Sequence, residues 1–579
     1  MIAEHCVKGV CFIPLDTNAP KFFGFSEFLA GLALMVLAWT IGDVRYRFRI
    51  RSAPIPLHGL TFVVVATVGT LTLLTDLWRA QGWLVPQGNL LTPASWQALL
   101  ASLFFLTFLT WTWIAFIKPP TFGKRNTKRY ARAVYFSILK GSQTELAVVA
   151  DELKASAKAI VGYATNRDKP RYMESKGDGK KISAAEGYAN DLLLLIADRR
   201  LCRVIVESSP VTALAIFYEM GEAKKYGIQI ETFAKNIVSE ALANKNSFLY
   251  HEADGYDSGL IGYLKPLSQA MFANYMMVET IGTMLDPDFS SRSKWDADQW
   301  GAYCRIVLLP FRDYVGRGDG DHSYALFRAL DCIKNASSDL YKLNGVVTSA
   351  WDDDPLARVR VIIDFIKKAV EILEKKGVPN NLQLRIRNQN RSLSKSFYDH
   401  IADLIFEVIF AASAVTTPRD RCWWIQHNSV WGELFNFDQL GGKAGTVVKF
   451  KVRRLLYNEV VKMKRFPNFK GARILGFCLN VMGLELRKDD YDKDSRALHK
   501  VILNFTKKNY AWLRSYNQNV ADACLVDGLS YEAESHRLVR TYPADGLNPL
   551  PRYIYLNIDP PTSGSNNTAA ETASPDYYS

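Results

Sequence analysis

The chain contains 579 residues and carries a net charge of +13, with a pI near 9.1. Clustered lysine and arginine of this kind are typical of proteins that bind nucleic acid. Ten of the thirteen net charges, however, fall in two short segments, +3 in residues 43–58 and +7 in residues 118–140. Because each segment directly follows an apolar run, the charge argues against a general nucleic-acid-binding domain and indicates a membrane protein.

Three apolar runs predict three membrane-spanning helices within residues 25–117. The uncharged run at residues 96–117 is long enough to cross a hydrocarbon core of ~30 Å, which needs roughly 20 residues. The run at residues 59–75 is shorter, and the run at residues 28–42 is the shortest. Glu27 precedes this shortest run, and we expect it at the outer headgroups, where a carboxylate costs less than at mid-bilayer.

The basic residues that flank these runs predict how the chain is oriented. They follow the first and third runs, whereas the other flanks are nearly neutral. The positive-inside rule therefore places residues 1–24 outside, as a short extracytoplasmic segment, and everything after residue 118 in the cytoplasm. This predicts a multi-pass protein of the plasma (inner) membrane. Its expected contacts with anionic headgroups or phosphate are Arg45, Arg47, Arg49 and Arg51 in the first inner loop, and Lys124, Arg125, Lys128 and Arg129 after the third span.

The rest of the chain is predicted to be mainly α-helical. A basic juxtamembrane linker occupies residues 118–143. Apolar residues then recur at helical spacings, as in Leu146, Val149 and Leu153, and this pattern continues through residues 144–559. The fold-class prediction is therefore three transmembrane helices followed by a large α-helical cytoplasmic domain.

Three features subdivide this cytoplasmic part. Its length exceeds that of a usual single domain, so we considered two subdomains with a boundary in residues 286–321 or near residues 375–390. The best strand-like alternation is at residues 552–558. Residues 560–579 are rich in Pro, Ser, Thr, Asn and Ala, which predicts a disordered tail.

The eight cysteines and eight histidines are dispersed along the sequence. No Cys-x-x-Cys or His-x-x-x-His spacing is present, so the sequence predicts no metal centre and no cofactor. We expect the cysteines after residue 118 to be small buried apolar residues. Cys6 and Cys11 lie in the predicted outer segment, where an oxidising environment would allow a disulfide.

The segment at residues 251–259 is a candidate for catalysis. It gathers His251, Glu252, Asp254 and Asp257 with two glycines between predicted helices. Hard oxygen ligands in a glycine turn can hold Mg²⁺ or Ca²⁺, and a carboxylate beside a histidine can transfer protons. The spacing matches no EF-hand, however, and the alternative is an ordinary loop whose side chains cap the next helix.

A basic amphipathic helix is predicted at residues 447–464. Arg453 and Arg454 lie within it, and apolar residues are interleaved with its cations. In a membrane-tethered domain such a helix fits anionic headgroups, at ~1 kcal/mol per cation near the surface. A phosphorylated ligand, RNA and a solvated face without a ligand are the alternatives.

The sequence supports three functional hypotheses. The leading one is a sensor, scaffold or assembly platform that is anchored in a bilayer with anionic headgroups and binds a cytoplasmic protein. The second is a channel or pore, formed when the chain associates with itself and gated by the cytoplasmic part. The third is a membrane-tethered, metal-dependent hydrolase that uses the residues at 251–257. The absence of a recognisable catalytic motif favours a protein that is not an enzyme.

Overall fold

The computed structural model shows a mainly helical protein, with 72% helix and little strand. The fold-class prediction is confirmed at this level, because the large remainder after the apolar helices is also helical. The chain divides into two compact units, residues 1–241 with 246–248 and residues 242–245 with 249–579. The residues that the structure describes are 5–7, 10–15, 21–41, 43–86, 92–167, 183–253, 265–318, 322–347, 353–379, 382, 396–436, 439–486, 493–526, 528–544 and 550–560.

The division of the chain differs from both boundaries considered from the sequence. It lies near residues 241–249, whereas most of residues 286–321 belong to a helix, Ala297–Arg317, with many buried side chains. Polar residues and glycines in that segment suggested a break, but they alternate with apolar residues that form a core face. The predicted disordered tail lies outside the described residues, apart from Pro560.

The first unit begins with a three-stranded antiparallel sheet and continues as helices. Its strands pair in the order β1-β2-β3, and the backbone of Cys6 is in register with that of Cys11. The disulfide between these cysteines stays a prediction. The elements are β1 (His5–Val7), β2 (Val10–Pro14), α1 (Phe25–Ile41), α2 (Val44–Ser52), α3 (Leu57–Ala80), β3 (Leu84–Pro86), α4 (Pro93–Thr112), α5 (Thr127–Lys140), α6 (Gln143–Lys154), α7 (Ala157–Tyr163), α8 (Ala184–Leu195), α9 (Arg199–Ser208), α10 (Pro210–Ala223) and α11 (Glu231–Ala243), the last of which crosses the division.

Two of the predicted spans correspond to helices that are long and apolar enough to cross a membrane. α4 begins at a capping box between Thr92 and Ser95, with Pro93 in its first turn. It continues through a wider turn to Ile117, and Pro119 then disfavours helix at the residue before it. The candidate spans are Leu57–Ala80, with 24 residues, and Pro93–Ile117, with 25 residues.

The first predicted span is a shorter apolar helix. α1 has 17 residues, and its most apolar segment is Phe25–Leu37. Composition offers a different third candidate, the helix pair α9 and α10, which is bent by 103° at Ser209. The structure therefore contains two or three candidate membrane-spanning helices among its described residues.

α1 packs with α3 and α4 as one group of three helices. Phe28 and Met35 from α1, Val65 and Val68 from α3, and Leu100 from α4 form a shared apolar cluster. Several large apolar side chains point away from this cluster. They include Leu34 (69% exposed), Phe62 (68%), Phe105 (58%) and Leu106 (59%). An apolar outer surface of this kind suits contact with lipid.

Polar contacts tie the three helices together at one end. Lys21, just before α1, forms an ion pair with Asp76 near the end of α3, with Nζ and Oδ2 2.8 Å apart. Asp76 also accepts a hydrogen bond from the Phe25 amide at 2.9 Å. The Gln97 side chain, in the first turns of α4, accepts one from the Phe22 amide at 3.0 Å. The start of α1 therefore lies beside the end of α3, and α2 lies at the opposite end of the group.

The expected juxtamembrane linker contains a helix. α5 covers much of residues 118–143 and buries Tyr130, Val134 and Ile138 on one face. These residues pack against α2, α6 and α8. The segment is therefore part of the folded first unit and does more than connect the spans to a separate domain.

The second unit is helical apart from one antiparallel sheet. α16 packs along α18, and α19 packs along α22. The strand predicted at residues 552–558 is present, as the last strand of the sheet. The elements are α12 (Phe248–Ala253), α13 (Pro266–Phe272), α14 (Tyr275–Ile281), α15 (Phe289–Arg292), α16 (Ala297–Arg317), α17 (Tyr324–Lys334), a 3-10 helix (Asn335–Leu343), α18 (Asp354–Lys376), α19 (Phe397–Ala412), α20 (Arg419–Trp423), a π-helix (Trp424–Gly432), α21 (Glu433–Phe435), α22 (Gly442–Lys462), α23 (Phe469–Met482), α24 (Lys493–Tyr516), α25 (Gln518–Asp522), β4 (Leu529–Glu532), β5 (Arg537–Tyr542) and β6 (Arg552–Asn557).

Candidate functional site

α2 carries an arginine at every second position. Successive residues of an α-helix are rotated by about 100°, so this alternation sends the side chains to two opposite faces. Arg45 and Arg49 share one face, and Arg47 and Arg51 share the other. The two faces have different partners.

The first face of α2 is bound to α6 and to the end of the third apolar helix. Arg45 Nη2 lies 2.8 Å from Asp151 Oδ2, and Arg49 Nη2 lies 2.7 Å from Glu152 Oε1. Arg49 also donates a hydrogen bond to the Ala115 carbonyl at 3.0 Å. The side chains of Arg49 and Glu152 are only 13% and 6% exposed, so this ion pair is a structural contact and not a free cation for a ligand.

The second face of α2 lines a basic cleft of about 670 Å³, and α5 lines its other side. Glu145 is the acidic residue that lines this cleft. Its carboxylate accepts a hydrogen bond from the Ser142 amide at 3.1 Å and so caps α6. The basic side chains that line the cleft are Arg47, Arg51, Arg129, Arg132 and Lys140.

Most of the cations in the basic cleft have no internal counter-charge. In the described part of the chain, Arg47, Arg51, Arg132 and Lys140 form no ion pair with a carboxylate. Cations held close together repel one another, and an anion with several oxygens relieves that repulsion. The planar guanidinium group also matches the geometry of phosphate oxygens. The charge and shape of the cleft therefore suit a phosphate group.

Hydrogen bonds and aromatic packing hold the two sides of the basic cleft in place. The Arg129 guanidinium donates to the Pro54 carbonyl at 2.6 Å, and the Asn126 amide donates to the Ser52 carbonyl at 2.7 Å. The rings of Phe48 and Tyr130 pack edge to face with centroids 5.7 Å apart. Because α2 and α5 are joined at several points, the cleft exists before any ligand arrives.

The outward face of α5 combines cations with exposed apolar residues. Lys128 and Arg132 lie on this face, followed at helical spacing by Tyr135, Phe136 and Leu139. The last three are 44%, 42% and 54% exposed. Aromatic and basic side chains with apolar stems are typical of the level of lipid headgroups. Like the basic cleft, this face of α5 therefore has side chains that suit lipid headgroups.

The predicted headgroup-binding residues in the first unit fall into three groups. Arg45 and Arg49 form internal ion pairs, and Arg129 bonds to backbone carbonyls at the edge of the cleft. Arg47 and Arg51 line the cleft. The third group is exposed outside the cleft and consists of Lys124, Arg125 and Lys128. The structure adds Arg132 and Lys140 to the residues that line the cleft. Their place there depends on the position of α5, which the sequence alone does not give.

The predicted basic amphipathic helix is present as α22, but protein covers its apolar face. Val452 and Leu456 are fully buried in the core of the second unit, as are Val448 and Val460. Lys451 is also buried and forms an ion pair with Asp399, with Nζ and Oδ1 2.5 Å apart. The helix therefore does not present its apolar stripe to a bilayer, which corrects the expectation drawn from the sequence.

The two arginines predicted to bind lipid on α22 differ in exposure. Arg453 is half-buried. Arg454 is exposed, and its guanidinium carbon lies 4.7 Å from the centre of the Tyr457 ring. Only Arg454 is thus on the outer surface of the helix.

The structure describes two of the four candidate catalytic residues, His251 and Glu252. His251 is exposed at the end of α12. Glu252 is buried, and its carboxylate accepts hydrogen bonds from the amides of Leu267 and Ser268 at 3.1 and 2.6 Å. Glu252 therefore caps α13 through both of its carboxylate oxygens. Asp254 and Asp257 lie outside the described residues.

The described cysteines after residue 118 are buried and carry no sign of nucleophilic activation. Cys202, Cys304, Cys332, Cys422, Cys478 and Cys524 are free thiols in the core. Burial raises the pKa of Cys332 to about 11 and the pKa of Cys304 to about 12. Because the thiolate is the reactive form, the raised pKa leaves Cys304 and Cys332 mostly protonated at neutral pH.

Comparison with known proteins adds no relative. No family model, no curated protein and no solved structure matches this chain. Among the described residues, no group of three or more His, Cys, Asp or Glu side chains is arranged to hold a metal ion. The function must therefore be inferred from the charge and geometry of the chain itself.

Proposed function

We propose that this chain is a multi-pass protein of the plasma membrane that senses or organises partners at the cytoplasmic surface. The basic cleft would be its site for the phosphate of an anionic phospholipid. α1, α3 and α4 form the three spans, with residues 1–24 outside and α2 and α5 inside. The observation that carries this proposal is the cleft itself, which is built from a loop between two spans and from the first helix after the third.

The orientation is supported by the two ends of the three-helix group. One end carries Lys21, Glu27 and Asp76, whose charges nearly cancel. The other end adjoins α2 and α5, where cations greatly outnumber acids. An excess of lysine and arginine is characteristic of cytoplasmic loops.

The pore and hydrolase hypotheses have less support. The hydroxyls of Thr67 and Thr110 each donate a hydrogen bond of 2.8 Å to a carbonyl of their own helix. The hydroxyls of Thr70 and Thr107 also donate to carbonyls of their own helices. The oxygens of these hydroxyls can still accept, so what weighs against a pore is the absence of an ionisable residue in the middle of these apolar runs. Of the four residues in the hydrolase hypothesis, Glu252 caps a helix with its carboxylate, and Asp254 and Asp257 lie outside the described residues.

The test compares two double variants of the full-length protein in nanodiscs that contain phosphatidylglycerol. Arg47→Gln with Arg132→Gln removes two cations from the cleft, whereas Lys154→Gln with Lys158→Gln removes two exposed cations of α6 and α7 outside it. At ~1 kcal/mol per cation, the cleft variant should bind the retained lipid roughly thirty-fold more weakly. Native mass spectrometry of the detergent-released protein measures the retained lipid.

The control variant should keep its lipid, because its charge change is the same but its residues do not line the cleft. Equal loss in both variants would show that attraction to the lipid is diffuse and would contradict a defined site. Unchanged binding in both would contradict the role of the cleft altogether.

A further inference from the structure

A second surface with membrane-binding chemistry lies in the second unit, at the turn between α22 and α23. We call this surface the basic corner and define it by Lys462, Lys464, Arg465, Phe466 and Phe469. All five residues are exposed. Phe466 and Phe469 are 65% and 53% exposed, which is unusual for two phenylalanines so close in sequence.

The backbone of the basic corner is fixed, so the phenylalanines are held outward by the fold. Asn468 accepts a hydrogen bond from the Gly471 amide at 2.8 Å, which caps α23, and its side-chain amide donates to the Phe466 carbonyl at 2.9 Å. Met463 is fully buried between the exposed residues on either side of it. The Met463 Cγ would lie only 2.5 Å from a Cβ atom at position 471, so the close packing of the two helices here requires glycine.

Lys470 anchors the basic corner to α19. Its ammonium lies 2.9 Å from Glu407 Oε1 and within 5 Å of the ring centres of Phe406 and Phe410. Lys470 and Glu407 therefore neutralise each other and leave the charge of the corner to its exposed cations. No acid occurs in residues 462–473, and the preceding acid, Glu459, is half-buried.

We propose that the basic corner binds an anionic lipid surface and so gives the second unit its own contact with the membrane. Exposed phenylalanines enter the boundary between headgroups and acyl chains, while flanking cations attract anionic lipid. This inference rests on the proposed membrane anchor, because tethering makes the second contact intramolecular and raises its effective concentration. It is independent of the basic cleft.

The charge pattern favours lipid over nucleic acid. Single-stranded RNA is bound by a groove that follows its backbone and by aromatic rings on which bases stack. The basic corner is instead a turn between two helices, in which two exposed rings follow three exposed cations in sequence. Exposed rings beside cations match the surface of a bilayer, where apolar acyl chains lie beneath anionic headgroups.

The experiment places an environment-sensitive dye on the corner of the full-length protein. A background with Cys6→Ser and Cys11→Ser leaves the buried native thiols, and Phe466→Cys supplies the labelling site. Tyr516→Cys is the matched control, because Tyr516 is 66% exposed in the same unit but lies at the end of α24. Both proteins are compared in nanodiscs of phosphatidylcholine alone and of phosphatidylcholine with phosphatidylserine.

We expect the dye at position 466 to shift to the blue with phosphatidylserine and the dye at position 516 to remain unchanged. Lys464→Gln with Arg465→Gln should lower the ratio of bound to free corner roughly thirty-fold, at ~1 kcal/mol for each cation. Arg496→Gln with Lys500→Gln, which removes two exposed cations of α24, should leave it intact.

Three results would overturn the proposal. The first is an identical response at positions 466 and 516, and the second is a shift that does not depend on phosphatidylserine. The third is a shift in pure phosphatidylcholine after addition of single-stranded RNA, which would assign the corner to nucleic acid. Failure of the anchor itself is distinguishable, since the labelled protein would then not enter nanodiscs at all.

Discussion

Arg49 connects three parts of the first unit through one guanidinium group. It bonds the Glu152 carboxylate and the Ala115 carbonyl while belonging to α2. Removing Arg49 leaves Glu152 only its longer contact to Arg45 at 3.6 Å, and removing Glu152 leaves Arg49 without a carboxylate, so each change costs about 3 kcal/mol. We therefore expect Arg49→Ala and Glu152→Ala each to lower the melting temperature of the full-length protein in detergent by several degrees.

Two further variants make this prediction specific. Arg49→Met with Glu152→Leu should be less destabilised than either single variant, because it leaves no unpaired charge. Arg47→Ala, on the opposite face of α2, should melt close to the wild type. A melting temperature for Arg47→Ala as low as that of Arg49→Ala would mean that the ion pair is not what stabilises this region.

The sequence identifies the arginines of α2 but not their separation into two roles. In the sequence, four arginines at alternate positions indicate a single charged loop. Only when the segment is helical do Arg45 and Arg49 lie on one face and Arg47 and Arg51 on the other. The acidic partners of Arg45 and Arg49 could be narrowed down from the sequence, because residues 118–165 contain three acids: Glu145, Asp151 and Glu152. The role of Glu252 had no such signal, because its partners are backbone amides that begin fifteen residues later.

At the scale of elements, α9 and α11 are joined by Glu240. Its carboxylate lies 2.6 Å from Arg199 Nε and 3.0 Å from Arg203 Nε. Burial alone would raise the pKa of Glu240, but the hydrogen bonds from these arginines outweigh it and hold the pKa below the ordinary value of 4.5. The contribution to stability is therefore complete above pH 4.5 and is lost as the pH falls through the lowered pKa.

This sign predicts how a neutral variant behaves. Glu240→Gln should melt below the wild type at pH 7, and the difference between the two should narrow as the pH falls below about 4.5. Thermal denaturation of both proteins across this pH range measures the effect. Glu222→Gln, an exposed carboxylate on α10, should show no such convergence. A constant difference between Glu240→Gln and wild type at every pH would contradict the assignment.

Helical periodicity predicts the helix α22 but does not predict what covers its apolar face. The spacing of Val448, Val452 and Leu456 shows that they share a face, but it does not show whether lipid or protein covers that face. In the structure α19 and the core cover it. From the sequence, Lys451 is expected to be a surface cation. The structure instead buries it beside Asp399, with which it forms an ion pair.

At the scale of the whole molecule, the proposed orientation predicts which residues reagents can reach. In a background with Cys6→Ser and Cys11→Ser, Gln81→Cys should react with an impermeant maleimide in intact cells, because it follows α3 at the proposed outer end. Lys124→Cys should react only after the membrane is opened. The reverse pattern would invert the orientation, and equal labelling of both in intact cells would contradict the proposed span, α4, that separates them.

The positions of the apolar helices were predictable because about twenty uncharged residues is a strong local signal. The division of the chain was not, because it depends on which helices pack together over long sequence distances. α5 is an example of both cases. Its basic residues predict the cytoplasmic flank of a span, but only the burial of Tyr130 and Val134 shows that it belongs to the first unit.

The contact between Arg49 and Ala115 has a mechanical consequence. Carbonyls at the end of a helix lack partners within it, and Arg49 supplies one at the wide turn that ends the third apolar helix. If α4 spans a bilayer as proposed, a change in thickness or lateral tension that tilts α4 would act on Arg49 through this hydrogen bond. Through Glu152 that displacement reaches α6 directly, with no slack segment between them to absorb it. Under the proposed membrane placement, this chain of contacts would couple the state of the bilayer to the folded helices behind the spans.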